Sequence, residues 1–318
     1  MSTAAHMHHN HSTSNAFRAA SGNSGVRANG MGILGATRCS IVVQAGAAFT
    51  CSLLDALEPL AQRGVGSISI QVVASGSDDE TIKLIQTLGP QSDAFALLGK
   101  NSERVKATLL DLRALGVPVI ALVSDLDANA RSTYIGADNR AAGQLAGFIF
   151  GRCLEWESDI KVALVASNLS YRCSEDREIG FRALLRRRFP QIEIVEVVTK
   201  VDSPQATYEA ALCVLRNDRA VSGIYNVSGE NLGLAQAIDE MQFPRRPLYI
   251  THETDEATEP LLRAGVIDFL ITQNLEFLAK SLKRFLMGLR TGAARSGEIN
   301  LVPIELVSKF NLQLRTAL

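Results

Sequence analysis

The residues equipped for chemistry in this chain are those that come just after each short apolar run. In the first half they are Phe49, the pair Lys100 and Asn101, the pair Ser124 and Asp125, and Asp138-Asn139-Arg140 inside "YIGADNRAAG". The second half adds Tyr171, Arg172 and Arg177, then Asn226, Ser228 and Asn231, then His252 and Glu253, then Gln273 and Asn274. These are hydroxyl, amide, carboxylate and guanidinium groups with a few aromatic rings. Such a mixture suits a neutral polyol, because each sugar hydroxyl both donates and accepts and planar Asp, Asn or Arg groups can engage adjacent hydroxyls in pairs. An aromatic face such as Phe49 or Tyr171 would cover the apolar side of a ring. Polar residues at the carboxyl ends of strands, ahead of helices, are where open α/β sheets gather ligands.

Each residue also has a plain structural use. Asn226 and Ser228 can close a turn, Glu253 can pair with a surface base, and Asp138 or Asn139 can cap a helix whose Ala142, Leu145 and Ile149 share a face. Their joint placement at one end of the sheets argues for a ligand cleft. Catalysis would need a nucleophile with a base, a metal cluster or a cofactor loop, and the sequence offers no GxSxG, P-loop or HExxH pattern. His252 and Glu253 are adjacent on an extended chain and so point opposite ways. No enzyme activity, cofactor or metal is expected. "GMGILG", Gly30 to Gly35, matches GxGxxG, but no strand precedes it and no acidic residue sits at the right distance, so it is read as a chance match.

Positioning these groups is the work of regularly spaced elements. "SIVVQ" from Ser40, "SISIQVV" from Ser67, "AFALL" from Ala94, "VPVIALV" from Val117 and "TYIGA" from Thr133 read as strands. "KVALVAS" from Lys161, "IEIVEVV" from Ile192, "SGIYNV" from Ser222, "LYIT" from Leu248 and "DFLIT" from Asp268 continue the series. Helical patterns separate them, which implies parallel sheets with covering helices. Ten such runs are too many for one comfortable sheet, so two similar α/β lobes are expected. "SDDE", Ser77 to Glu80, reads as a capping box for a helix carrying Ile82, Leu84, Ile85 and Leu88 and stopping at Gly89.

Composition sets the outer limits. The 318 residues are 47% hydrophobic and 20% charged, with a net charge of -1, so there is no basic surplus of the kind that drives phosphate binding. "VPVIALV" is strand length, well short of the roughly 20 residues that span a bilayer, and no membrane segment is expected. Five cysteines, Cys39, Cys51, Cys153, Cys173 and Cys213, form an odd set without CxxC spacing, which suits reduced thiols and a cytoplasmic setting. Residues 1–38, rich in Ser, Asn, Gly and Ala, read as a disordered leader or tag. Four of the five histidines, His6, His8, His9 and His11, belong to that tail rather than to a metal site.

"YIGADNRAAGQLAG", "RCSEDREIGF", "GIYNVSGENLGLAQAI", "THETDEATEPLLRAGVIDFLITQN" and "LVPIELVSKFNL", in this order, resemble the ligand-binding core of lactose-repressor-type transcription regulators. That core shares its fold with periplasmic sugar-binding proteins. The resemblance, running from about Cys39 to Leu312, implies two Rossmann-like lobes joined by three crossover segments, with a sugar or related small molecule between them. It divides the chain into residues 39–138 plus 274–301 and residues 139–273 plus 302–318. It also implies ligand roles for Asp125, Arg177, Glu253 in place of the family's frequent aspartate, Gln273 on the hinge side and, with a one-residue shift, Asn226. Pairing of the first lobes into a homodimer is implied in the same way. The helix-turn-helix that opens such regulators has no counterpart in the Ser/Gly/His leader, so contact with DNA is expected only through a part not seen in this chain. The function expected is that of a regulator's effector-binding core. The alternative is the solute-binding protein of a sugar ABC transporter.

Overall fold

A computed structural model describes residues 37–62, 66–73, 77–167, 171–199, 201, 203–294 and 296–312. The leader through residue 36, "GMGILG" and the histidine-rich tail lie outside these residues. The strands form two six-stranded sheets. The first holds β1 (Thr37–Gln44), β2 (Gly66–Val73), β3 (Ala94–Leu98), β4 (Val119–Leu122), β5 (Thr133–Gly136) and, from far along the chain, β11 (Glu298–Leu301). The second holds β6 (Lys161–Ser167), β7 (Glu193–Thr199), β8 (Val221–Asn226), β9 (Leu248–His252), β10 (Phe269–Gln273) and β12 (Ile304–Val307). The spatial orders, β11-β5-β4-β3-β1-β2 and β12-β10-β9-β8-β6-β7, are the same topology twice. All pairings are parallel except β10 with β12. This is the expected α/β architecture of two lobes with parallel-dominated sheets.

Nine helices cover the sheets among the described residues: α1 (Ala47–Gln62), α2 (Asp78–Leu88), α3 (Glu103–Ala114), α4 (Asn139–Cys153), α5 (Arg172–Arg188), α6 (Pro204–Asn217), α7 (Asn231–Met241), α8 (Thr258–Arg263) and α9 (Leu275–Thr291). Because both sheet faces are covered, strands read as unbroken apolar runs and their alternation sorts side chains between two cores. In β1, Ile41 and Val43 pack with α1 and α9, whereas Val42 packs with α2 and α3. In β6, Ala163 and Val165 pack with α6 and α7, whereas Val162 and Leu164 pack with α4 and α5.

The chain passes between the sheets three times: after β5, between β10 and α9, and between β11 and β12. Within each sheet the strand order reverses beside β1 and beside β6, which opens a crevice at their carboxyl ends.

Local details depart from the sequence reading in three places. β1 opens at Thr37, inside the segment read as leader, where the N–H of Arg38 bonds Asp93 at 2.8 Å. β11 and β12, "EINL" and "IELV", are half-polar edge strands of four residues each, too short to show the pattern that marks the other ten, among them the longer edge strands β2 and β7. Gly89 ends α2 in right-handed conformation, φ -55, so no left-handed turn requires glycine there; a Cβ would instead meet Leu112 at 2.7 Å. Ser77 does cap α2, its Oγ accepting from the Glu80 N–H at 3.3 Å.

Candidate functional site

A cleft of about 650 Å³ lies at the carboxyl ends of the strands, between the two lobes. From the first lobe it is lined by Ala45 to Phe49, Leu98 and Val123. From the second lobe come Tyr171, Ser174, Arg177, Ser228, Asn231, His252 and Glu253, together with the start of α8.

Arg177 is the fixed point of the second wall. It sits on the inner face of α5, 4% exposed, because α4 and α5 cross at unusually short range. A Cβ on Gly143 would stand 1.9 Å from the Arg177 carbonyl oxygen, and one on Gly180 would stand 2.1 Å from that of Arg140. Only glycine at both positions permits the approach. It brings Asn139, first residue of α4, against the guanidinium: Arg177 Nε donates to Asn139 Oδ1 at 2.9 Å. The Asn139 amide in turn donates to the Val123 and Ala137 carbonyls and to Tyr134 Oη, at 3.3 to 3.4 Å. Asp138, rather than Asn139, caps α4, accepting from the Ala141 N–H at 2.9 Å.

Glu253, just past β9, completes the arrangement. Arg177 Nη2 donates to Glu253 Oε1 at 2.8 Å, and Gln273 Nε2 donates to the same oxygen at 3.1 Å. The Glu253 backbone is left-handed, φ 64, while its N–H still bonds the Ile271 carbonyl at 3.1 Å. Burial works against the charge on Arg177, but neighbouring Cys173, Glu253 and Tyr225 outweigh it and hold the guanidinium above its ordinary pKa. His252, bonded to Tyr225 Oη at 2.8 Å, is pushed the other way: burial first, then the nearby guanidinium, hold the imidazole well below its usual 6.5. The cleft floor is therefore a fixed cation, its carboxylate partner and a neutral imidazole.

The remaining residues expected at the site divide clearly. Phe49, Tyr171, Arg177, Ser228 and Glu253 line the cleft together. Tyr171 Oη donates across it to the Gln44 carbonyl at 3.0 Å, and Ser124, buried beneath, accepts from the Cys173 N–H at 3.2 Å. Both bonds run from one lobe to the other. Asn226 stands behind the wall and shapes the loop before α7, donating to Asn231 Oδ1 and the Gly229 carbonyl. Gln273 also lies behind it, supporting Glu253. Arg172 is half-exposed and pairs with Asp176. Asp125 is the largest departure: both its oxygens accept from Arg131, and it does not line the cleft. Its carboxylate serves the β4–β5 connection.

Residues 44–293 match the sequence profile of the periplasmic binding protein domain. The chain belongs to the periplasmic binding protein family. Several solved structures share the fold. GanP, a glucose-galactose binding protein from Geobacillus stearothermophilus, superposes with TM-score 0.77 at 17% identity, over 87% of this chain and 99% of that one. A solute binding protein of an ABC transporter from Burkholderia graminis C4D1M, solved with D-arabinose, gives 0.77 at 18% identity, over 89% and 98%. A candidate LacI transcriptional regulator from Bacteroides fragilis gives 0.76 at 16% identity, over 88% and 99%. No curated protein matches the sequence.

The sequence reading placed Asn139 among the polar strand-end residues and offered it as a cap, but not as the partner of Arg177. It also left out Ser174 and the start of α8. Ser174 lies three residues before Arg177 on the same helix, a spacing that puts both on one face. The start of α8 carries no such pattern. Among the described residues no helix is long and apolar enough to cross a membrane, and no group of three His, Cys, Asp or Glu could hold a metal ion.

Proposed function

We propose that this chain binds a monosaccharide or related polyol between its lobes and serves as the solute-binding protein of a sugar transporter. The observation that carries the reading is the second wall of the cleft, where a buried, permanently charged Arg177, a fixed Glu253, Ser174 and Ser228 line one space between the lobes. Planar charged groups of this kind grip vicinal hydroxyls, and Phe49 and Tyr171 supply apolar faces for a ring. The transporter role is supported by the family and by structural neighbours that are mostly transport binding proteins. It reverses the order in which the sequence ranked transporter and regulator.

The regulator's effector core stands second, supported by the likeness to the candidate LacI regulator and by five cysteines without a disulfide. The first reading puts the chain outside the cytoplasmic membrane, the second inside. A thermal-shift screen of monosaccharides and polyols tests the shared part: a ligand that binds the native state raises the melting temperature by mass action. Failure of every sugar and polyol to shift it removes both readings. Cell fractionation, with uptake of the labelled sugar in a strain lacking the protein, then separates them.

A further inference from the structure

The two walls of the cleft differ in chemistry. The first lobe contributes Ala45 to Phe49, Leu98 and Val123, and not one of these side chains carries a polar atom. The polar strand-end residues of that lobe are turned to internal work. Gln44 bridges the Ser77 carbonyl and the Lys100 N–H, Ser124 holds the Cys173 N–H, and Asp125 is taken up by Arg131. What the wall still offers is the first turn of α1, which Gly46 cannot cap and whose backbone N–H groups only donate. A ring or ether oxygen satisfies such donors as well as a hydroxyl does.

A hydroxyl turned toward this wall would leave water without gaining a side-chain partner. A methyl group there would lose nothing and would fill space against Ala48, Leu98 and Val123, burying apolar surface. The opposite wall carries Arg177, Glu253, Ser174 and Ser228 beside the apolar Pro260 and Leu261, so ring hydroxyls find donors and acceptors there that the first wall lacks. Building on the sugar reading above, we propose that the preferred ligand is a 6-deoxyhexose, its ring hydroxyls toward α5 and its methyl group toward α1.

The test is titration calorimetry of the full chain with matched pairs: D-galactose and D-fucose, D-glucose and 6-deoxy-D-glucose, L-mannose and L-rhamnose. An apolar pocket rejects an added hydroxyl by at most about 100-fold, so the deoxy member is expected to bind about ten- to a hundredfold tighter in the pair that fits. Val123→Thr, close to isosteric, puts a hydroxyl on the wall and is expected to shrink that ratio severalfold. A parent hexose that binds as tightly as its deoxy partner overturns the inference and leaves the sugar reading standing. So does a preference that Val123→Thr leaves unchanged. Absence of binding by every sugar overturns the sugar reading itself, and the inference with it.

Discussion

Arg177 Nη2 and Glu253 Oε1 stand 2.8 Å apart, although the two residues are separated by 76 positions in sequence. The pair is almost shut off from solvent, with side-chain exposures of 5% and 13%. In such surroundings mutual attraction roughly offsets the cost of taking two ions out of water, so the pair itself adds little stability. Breaking it is another matter. Arg177→Ala would strand the Glu253 carboxylate, and unfolding free energy from urea denaturation is expected to fall by about 3–5 kcal/mol. Arg177→Lys should recover only part of this, because a compact ammonium lacks the planar fork that aims Nε at Asn139 and Nη2 at Glu253. The double variant Arg177→Ala with Glu253→Gln should lose clearly less than the sum of the two single changes; an additive result would remove the coupling.

Asp125 gives a contrasting case. The family resemblance assigns it to the ligand, whereas both its oxygens accept from Arg131. On this geometry Asp125→Ala is expected to cost about 2 kcal/mol of stability, by leaving a buried guanidinium short of its acceptor. Affinity for the bound sugar should stay within about twofold in the same calorimetric series, a change of less than about 0.5 kcal/mol. A tenfold loss of affinity with unchanged stability would restore the ligand role.

The α4–α5 crossing predicts that sterics alone can disturb the site. Gly143→Ala would place a methyl group 1.9 Å from the Arg177 carbonyl oxygen, which only movement of a whole helix can relieve. Overpacking of this kind costs about 1–3 kcal/mol, and here the displaced helix carries the cleft's fixed cation. Thermal melts should show the loss, and ligand affinity should drop with it even though residue 143 does not line the cleft. Wild-type affinity in a destabilised Gly143→Ala protein would mean that Arg177 tolerates the shift.

These cases mark what could be read from sequence. The ten principal strands were visible because a parallel sheet covered on both faces demands continuous apolar runs, and Ser77 announced its helix through a local motif. β11 and β12 escaped because half-polar strands of four residues are too short to show a pattern, whereas β2 and β7, also edge strands, run for eight and seven. At the site, residue type and strand-end position located Arg177, Glu253, Phe49 and Tyr171, but could not tell Asp125 from its neighbours, since only the fold reveals that Arg131 returns to claim it. Asn139 was hidden for a related reason. As a residue at a helix start it looked like a cap, a role that Asp138 fills, and its real partners, Arg177 and Tyr134, come from other elements. Local chemistry is legible; which of two polar neighbours is consumed by the framework depends on long-range packing.

His252 makes the stability of this fold pH-dependent in a definite direction. Its imidazole faces Tyr225 Oη, the Arg177 guanidinium and the Ile271 backbone, and burial with the nearby positive charge holds it neutral in the folded state well below its usual 6.5. In the unfolded chain the same ring titrates near 6.5. Below that pH the unfolded state therefore binds a proton that the folded state refuses, so stability rises with pH up to the ordinary value and is fully present above it. As pH falls below about 6.5, stability should decline by up to 1.36 kcal/mol per pH unit, until the folded-state pKa is reached. His252→Gln keeps a neutral polar group opposite Tyr225 and removes the titration, and the other four histidines are common to both proteins. Urea denaturation between pH 5 and 7.5 should then show a steeper dependence for the wild type than for the variant. Equal slopes would place the proton uptake elsewhere in the chain.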